Sequence, residues 1–296
     1  MAKRRYVAPA RGAVAPGVFD HPVFAGFAAH RAWLDGVAWP SLDALNCALA
    51  ADGAAERVVA QDAALLSDGE HYELRIARRG HIATRPDNWH DLLNALVWIE
   101  HPSLKRALNR RQVAEIAQVG PAQRSRAQCA LTHFDEGGAI VVLRDAALLP
   151  LWDAHDWHGL FWRERAAWFD GRIDVIVFGH ALLEHALTPG QLITAKCIAV
   201  LDIAGASGRD ELRVDTRPRA MQRASLAVAE ATARGVVFVD PQELRPLPLS
   251  GIPGWHAGTD DEAFYRNAEC FRPLRPGRVY PAPRVLQASD EDASDA

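Results

Sequence analysis

This sequence contains little lysine, little cysteine and no long apolar segment. Only three of its 33 basic residues are lysine, so an arginine-rich stretch here follows from composition and does not by itself indicate phosphate binding. The four cysteines are far apart and form no C-x-x-C pair, which excludes a zinc knuckle and a thioredoxin-type site. No run of about twenty apolar residues occurs, so we expect no membrane span.

Common catalytic and targeting motifs are also missing. The sequence has no G-x-S-x-G, no P-loop, no G-x-G-x-x-G after a strand and no H-E-x-x-H, which disfavours the usual serine hydrolases, P-loop NTPases, Rossmann dehydrogenases and zincins. The first residues are basic but are not followed by an apolar core, so no secretory signal is indicated and a cytoplasmic location is expected. The net charge of −4 gives no general attraction to nucleic acid or acidic lipid.

What is present is a soluble composition, with 49% apolar and 24% charged residues in a chain of 296. The predicted fold class is α+β: a mixed single domain with a small sheet, local βα units and an irregular Pro/Gly-rich C-terminal extension. We expect residues 1–18 to be a flexible N-terminal arm, 19–288 the globular domain and 289–296 a disordered acidic tail.

Hydrophobic periodicity predicts the elements of this domain. Apolar runs predict strands at 139–143, 173–178, 198–203 and 236–239. Helices are predicted at 21–33, after Ser41, at 88–99, after Pro102, at 157–169, at 180–187 and at 226–234. Alternation at 72–76, a turn at 78–80 and a second short run at 81–84 predict a β-hairpin.

The helix at 88–99 is apolar nearly all round apart from one narrow polar arc. At about 100° per residue, His90, Asn94 and His101 fall within about 40° of one another, and Asp91 lies at the edge of the arc. Small polar groups of this kind suit close contact with a ligand or a metal. Equally, they suit a buried helix whose polar groups are paired internally, with Asn88 as N-cap and Asp91 in the first turn.

A second candidate lies where a predicted strand passes through Gly179 into a helix. His180 and Glu184 are four residues apart on one helix face, which suits two metal ligands or a histidine oriented by a carboxylate. The alternative, slightly favoured, is local hydrogen bonding by His180 at the helix start. Asp135 and Glu136 stand beside Gly137–Gly138; they would suit a cation or acid–base site, although solvated turn carboxylates are the commoner outcome.

Arginine and aromatic clusters offer a different class of function. Arg106, Arg110, Arg111, Arg124 and Arg126 form a basic stretch, which would be either a nucleic-acid contact or a solvated face. The aromatic stretch at 152–168 would stack on a base or ring, but its helical spacing is more typical of core.

Several phrases together resemble a known bacterial family. They are Asn88-Trp89-His90-Asp91 with Asn94-Ala95-Leu96, Phe134-Asp135-Glu136, Leu160-Phe161-Trp162 with Arg165, Phe178-Gly179-His180 with Glu184, and Gly251-Ile252-Pro253-Gly254-Trp255. This combination resembles the domain of unknown function 3025 family over roughly residues 20–273. The resemblance implies one unit and brings no activity, cofactor or partner.

Two hypotheses follow. In the first, the chain is a metal-assisted hydrolase of a phosphoester or similar small molecule, with a divalent metal (Zn, Mn or Mg) that activates water. Its metal ligands would be His90, Asp135, His180 and Glu184, its catalytic residues Asp91, Glu136 and Arg165, and its substrate-binding residues Arg85 and Asn94. In the second, the chain is a non-catalytic nucleic-acid- or protein-binding module, and these polar residues fix the core. No oligomeric state is predicted.

Overall fold

Strands and helices are mixed along the chain in the computed structural model, which describes residues 6–51, 53–202 and 216–286. The strands are β1 (Arg57–Ala60), β2 (His81–Thr84), β3 (Gly138–Leu143), β4 (Ile173–Val177), β5 (Thr194–Leu201), β6 (Arg245–Pro248) and β7 (Arg284–Val285). The α-helices are α1 (Arg31–Asp35), α2 (Leu42–Ala50), α3 (Ala63–Leu66), α4 (Tyr72–Arg79), α5 (Trp89–Glu100), α6 (Pro102–Val119), α7 (Arg126–Gly137), α8 (Leu148–Asp153), α9 (His180–His185), α10 (Thr216–Ala233) and α11 (Phe264–Asn267).

The central sheet is mixed and runs in spatial order β4-β3-β5-β6, with β7 paired to β5 as well. Strand β3 is buried along its whole length, as its apolar run predicts, and pairs antiparallel with β4 and parallel with β5. Strands β1 and β2 form a separate parallel pair. The prediction of an α+β single domain with a small sheet is therefore confirmed.

One hydrophobic core extends from Val18 near the start of the described chain to Leu286 at its end. Trp152 and Phe161 are completely buried in it, and Trp157 and Trp168 nearly so. The aromatic stretch that could have stacked on a nucleic-acid base is therefore mainly core. The Pro/Gly-rich C-terminal region is mostly irregular, as expected, and contributes strand β6 to the sheet edge.

The predicted hairpin at 72–84 is wrong in its first half, because residues 72–79 form helix α4. The side chain of His71 accepts a hydrogen bond from the backbone N–H of Glu73, and Gly80 ends the helix with a left-handed φ of 68°. Arg75 is buried beside Ile76 and pairs with Asp68. An alternating pattern of only five residues is also compatible with a short helix, and the N-cap at His71 and the C-cap at Gly80 favour the helix.

The predicted strand at 236–239 is also wrong. Phe238 has a φ of 59°, which an extended strand does not allow, and its ring packs 4.7 Å from that of Phe134. The apolar run there anchors a turn in the core. The strand predicted at 198–203 is β5, which begins earlier, and residue 203 lies outside the described residues.

The described part of the predicted arm lies against the domain. The Tyr6 hydroxyl donates to the carbonyl of Glu184 at 2.9 Å, and its ring stacks on His185 at 4.2 Å between centroids. Trp89 Nε1 donates to the carbonyl of Pro9 at 3.1 Å. These contacts attach the segment to α5 and α9. The predicted tail, 289–296, lies outside the described residues, and the division into arm, domain and tail stays a prediction.

Candidate functional site

A cavity of about 380 Å³ opens among α4, α5, α6, α7 and α9. This volume lies within the range of small-molecule sites. Its wall includes seven of the nine residues proposed for the hydrolase, all except Glu184 and Arg165: Arg85, His90, Asp91, Asn94, Asp135, Glu136 and His180. Segments far apart in sequence thus contribute imidazole, amide and carboxylate groups to one concave surface.

The two cavity histidines face each other across the interface of α5 and α9. Their Nε2 atoms are 3.1 Å apart, and their ring planes are nearly perpendicular. Glu184, one turn after His180, points to the other side of the His90 ring, where its Oε2 lies 3.0 Å from Nδ1. His180 and Glu184 do lie on one face of α9, as their spacing predicts, but the carboxylate of Glu184 orients His90 and not His180. With the proton of His90 on Nδ1, a lone pair remains on Nε2.

His180 is buried, and burial lowers its pKa to about 3 despite the opposing charge of Asp135. The ring is therefore neutral at physiological pH. Its Nδ1 has no hydrogen-bond partner among the described residues, and Oδ2 of Asp135 is 3.9 Å away. Local hydrogen bonding at the helix start, the favoured alternative, thus does not explain where this side chain lies.

Gly179 explains why the end of α7 meets the start of α9. Antiparallel pairing aligns the beginning of β3 with the end of β4, and the N–H groups of Phe178 and Gly179 both donate to the carbonyl of Gly138. A Cβ atom at position 179 would lie 2.5 Å from the Glu136 carbonyl oxygen. Only glycine fits this contact, which brings Asp135 and His180 to the same wall.

Asp135 and Glu136 belong to the last turn of α7, and β3 begins directly at Gly138, so the Gly-Gly turn expected beside them is the junction of this helix and strand. Asp135 accepts a hydrogen bond from Lys105 Nζ at 2.6 Å. Burial alone would raise the pKa of Asp135, but the charge of Lys105 and the hydrogen bond from its ammonium group hold it below its ordinary value. Glu136 is exposed at the cavity wall.

Lys105 is a buried cation that the sequence analysis missed. It lies on α6 and donates to Asn94 Oδ1 at 2.8 Å as well as to Asp135. Asn94 in turn donates to the Tyr72 hydroxyl at 3.1 Å. One signal could have revealed Lys105: in a chain that uses arginine almost everywhere, it is a lysine adjacent to the apolar face of a predicted helix.

Glu73 is a second missed residue on the cavity wall. Its Oε2 accepts a hydrogen bond from Asn109 Nδ2 at 2.6 Å, and the same amide donates to its backbone carbonyl at 2.9 Å. Burial raises the pKa of Glu73 to about 7, with Asp135 adding to the rise and Asn109 and Lys105 opposing it. The alternation at 72–76 predicts a strand, and that prediction does not place Glu73 on the cavity wall.

Arg85 and Asp91, predicted for separate roles, bind each other. The guanidinium donates from Nε and Nη2 to the two carboxylate oxygens at 3.0 and 2.7 Å, and the backbone N–H of Arg85 donates to the same carboxylate. Asn88 caps the helix through the N–H of Asp91, as expected. Asp91 is therefore engaged in an ion pair at the edge of the cavity.

The structure does not bring Arg165 to this cavity. It lies against the C-terminal segment, where it donates to the carbonyl of Thr259 at 2.6 Å and to Asp260 at 2.9 Å. Several arginines of the basic stretch are likewise paired with acids: Arg106 with Glu56, Arg111 with Glu115 and Arg126 with Asp240.

Metal ligation finds limited geometric support. Within residues 6–51, 53–202 and 216–286, no group of three or more His, Cys, Asp or Glu is arranged to hold a metal ion. Of the four ligands predicted, His90 and His180 direct nitrogens at each other, whereas Glu184 bonds to Nδ1 of His90 and Asp135 to Lys105.

Across the part of the chain that the structure describes, no helix is both long enough and apolar enough to cross a membrane.

Comparison with known proteins identifies the family. No curated protein and no solved structure matches the chain. The family model described as "Protein of unknown function (DUF3025)" matches residues 57–275, about three quarters of the sequence and all of the cavity wall. The chain therefore belongs to the DUF3025 family, as the phrases around His90, Asp135 and His180 predict.

Proposed function

We propose that this chain is an enzyme that hydrolyses a small phosphoester, with His90 as the general base. The observation that carries this proposal is the 3.0 Å bond between Glu184 Oε2 and Nδ1 of His90, an imidazole that lines the cavity. A carboxylate in that position fixes the tautomer of the imidazole and stabilises the imidazolium that forms when Nε2 takes a proton from water. His180, kept neutral by burial, would hold Nε2 of His90 in place until water and substrate bind.

Cations on the cavity wall support an anionic substrate. Lys105 has three N–H donors, and its bonds to Asn94 and Asp135 use two of them. The third would contact a phosphoryl oxygen. Arg85 binds Asp91 through Nε and Nη2, which leaves Nη1 for a second contact with the same group.

The test is hydrolysis of p-nitrophenyl phosphate, bis(p-nitrophenyl) phosphate and p-nitrophenyl acetate by the purified full chain. We expect turnover of at least one phosphoester, and a fall of roughly 10²–10⁴-fold in His90→Gln. His133→Gln, an exposed histidine of α7 outside this cavity, is the matched control and should keep full activity. Equal rates in the wild type and His90→Gln would refute the proposal. Inactivity together with salt-dependent retention on DNA or RNA would favour the binding-module alternative.

A metal-assisted version of the same reaction is the second candidate, and the facing Nε2 atoms favour it. Two histidine nitrogens bound to one tetrahedral zinc ion at about 2.0–2.1 Å are roughly 3.3–3.4 Å apart. The two Nε2 atoms here are 3.1 Å apart, so only a small separation of the rings would admit the ion. Glu184 would then orient His90 from outside the coordination sphere, and water and substrate would complete it.

Metal content separates the two versions. After dialysis against Zn²⁺ or Mn²⁺ and then metal-free buffer, the metal-assisted version predicts one bound ion per chain by mass spectrometry. This ion should be absent in His180→Ala and present in His133→Ala. A metal-free wild type whose turnover is insensitive to chelator would leave the acid–base version.

A further inference from the structure

Glu73 offers one carboxyl oxygen to the cavity. The side-chain amide of Asn109 donates hydrogen bonds to Oε2 and to the backbone carbonyl of Glu73. These two bonds hold the carboxyl group in one orientation. Oε1 has no hydrogen-bond partner among the described residues. Because Glu73 lines the cavity, Oε1 is the oxygen available to a bound molecule.

The surroundings of Glu73 permit it to hold a proton. Asp135 on α7 repels a negative charge there, and Lys105 on α6 and Arg124 on the loop before α7 partly offset that repulsion. Tyr72, its neighbour on α4, is half-buried and accepts a hydrogen bond from Asn94. Burial is the largest influence and raises the pKa of Glu73 to about 7, so both protonation states are populated near neutral pH.

We propose that Glu73 is a second catalytic residue, a general acid that protonates the leaving oxygen of the ester while His90 deprotonates the attacking water. This inference rests on the proposed hydrolysis. The water oxygen bonds to phosphorus and gives one proton to His90 Nε2. The bond from phosphorus to the leaving oxygen breaks, and that oxygen takes the proton of Glu73. Solvent then returns a proton to Glu73 and removes one from His90, so water is the only co-reactant consumed.

A leaving-group comparison tests this role. p-Nitrophenolate leaves without a proton, whereas an alkoxide such as methoxide requires one. We therefore expect Glu73→Gln to lower kcat/KM for an alkyl phosphoester by about 10²-fold or more, and for the p-nitrophenyl ester only slightly. Glutamine keeps the acceptor for Asn109 and resembles the protonated acid, but it cannot transfer the proton. Glu230→Gln on the exposed side of α10 is the control and should change neither rate.

The wild type provides a second measurement that requires no variant. Its kcat/KM for the alkyl ester should decline as pH rises through about 7, because Glu73 must be protonated, and this decline should be weak for the p-nitrophenyl ester. Equal losses for both esters in Glu73→Gln, or identical pH profiles in the wild type, would overturn the role of Glu73 and leave the proposed hydrolysis standing. A wild type that hydrolyses neither ester would overturn both.

Discussion

Nδ1 of His90 lies 3.0 Å from Oε2 of Glu184, so an imidazole of α5 and a carboxylate of α9 form one hydrogen-bonded pair. Both side chains are partly accessible, His90 by 31% and Glu184 by 18%. An exposed or half-buried pair of this kind contributes about 1 kcal/mol or less to folding. Its main effect is to fix the orientation and the tautomer of the imidazole.

Glu184→Gln should therefore separate activity from stability. We expect hydrolysis to fall by about 10²-fold, because the amide cannot stabilise an imidazolium. The free energy of unfolding in urea should fall by about 1 kcal/mol or less. Glu100→Gln is the matched control, since Glu100 likewise accepts from a histidine, His30 at 2.7 Å, but that histidine does not line the cavity. Full activity in Glu184→Gln would contradict the role of the pair.

Glu73 should make stability depend on pH. Its pKa rises from 4.5 in the unfolded chain to about 7 in the fold, so the native state binds more protons between these values and stability falls as pH rises through them. We expect Glu73→Gln to become more stable relative to wild type from pH 5 to pH 8, by about 2–3 kcal/mol in all. Urea denaturation across this range measures the difference. Glu230→Gln should show a constant offset, and a constant offset in Glu73→Gln would be the contrary result.

The local pairings in the site could be predicted from spacing. His90 and Asn94 are four residues apart on one helix, as are His180 and Glu184 on another, and helical geometry places each pair on one face. Their convergence could not be predicted in this way. It depends on antiparallel pairing of β3 with β4 and on the close contact at Gly179, both of which are non-local.

The missed residues have two different physical causes. Tyr72 and Glu73 lie on a segment whose alternation predicts a strand, and a strand would have turned them to opposite faces. Lys105 is a charged residue in the first turn of a helix, and a side chain of this type is ordinarily predicted to be solvated. Its burial depends on acceptors from α5 and α7 that meet only in the folded chain.

Gly179→Ala should disrupt the site and the fold together. The added Cβ would lie 2.5–2.6 Å from backbone atoms of Glu136, Gly137 and Gly138, none of which can rotate away. We expect a loss of about 1–3 kcal/mol, toward the upper end, measured by urea denaturation. Gly26→Ala is the control, because nothing lies within 4 Å of a Cβ atom there. Equal unfolding midpoints for the two variants would show that α7 and α9 do not require this contact.

Lys105→Met should leave a carboxylate without its counter-charge. Lys105 is only 4% exposed, and its Nζ lies 2.6 Å from Oδ1 of Asp135. Without the ammonium group, only water in the cavity could solvate the carboxylate of Asp135. Breaking a buried pair costs about 3–5 kcal/mol, and the partial access of Asp135 favours the lower end. Lys196→Met, at an exposed lysine of β5, is the control and should cost far less.

Adding Asp135→Asn to Lys105→Met should recover part of the lost stability, because the uncompensated charge is then gone. A double variant less stable than Lys105→Met alone would show that Asp135 contributes through contacts other than this ion pair.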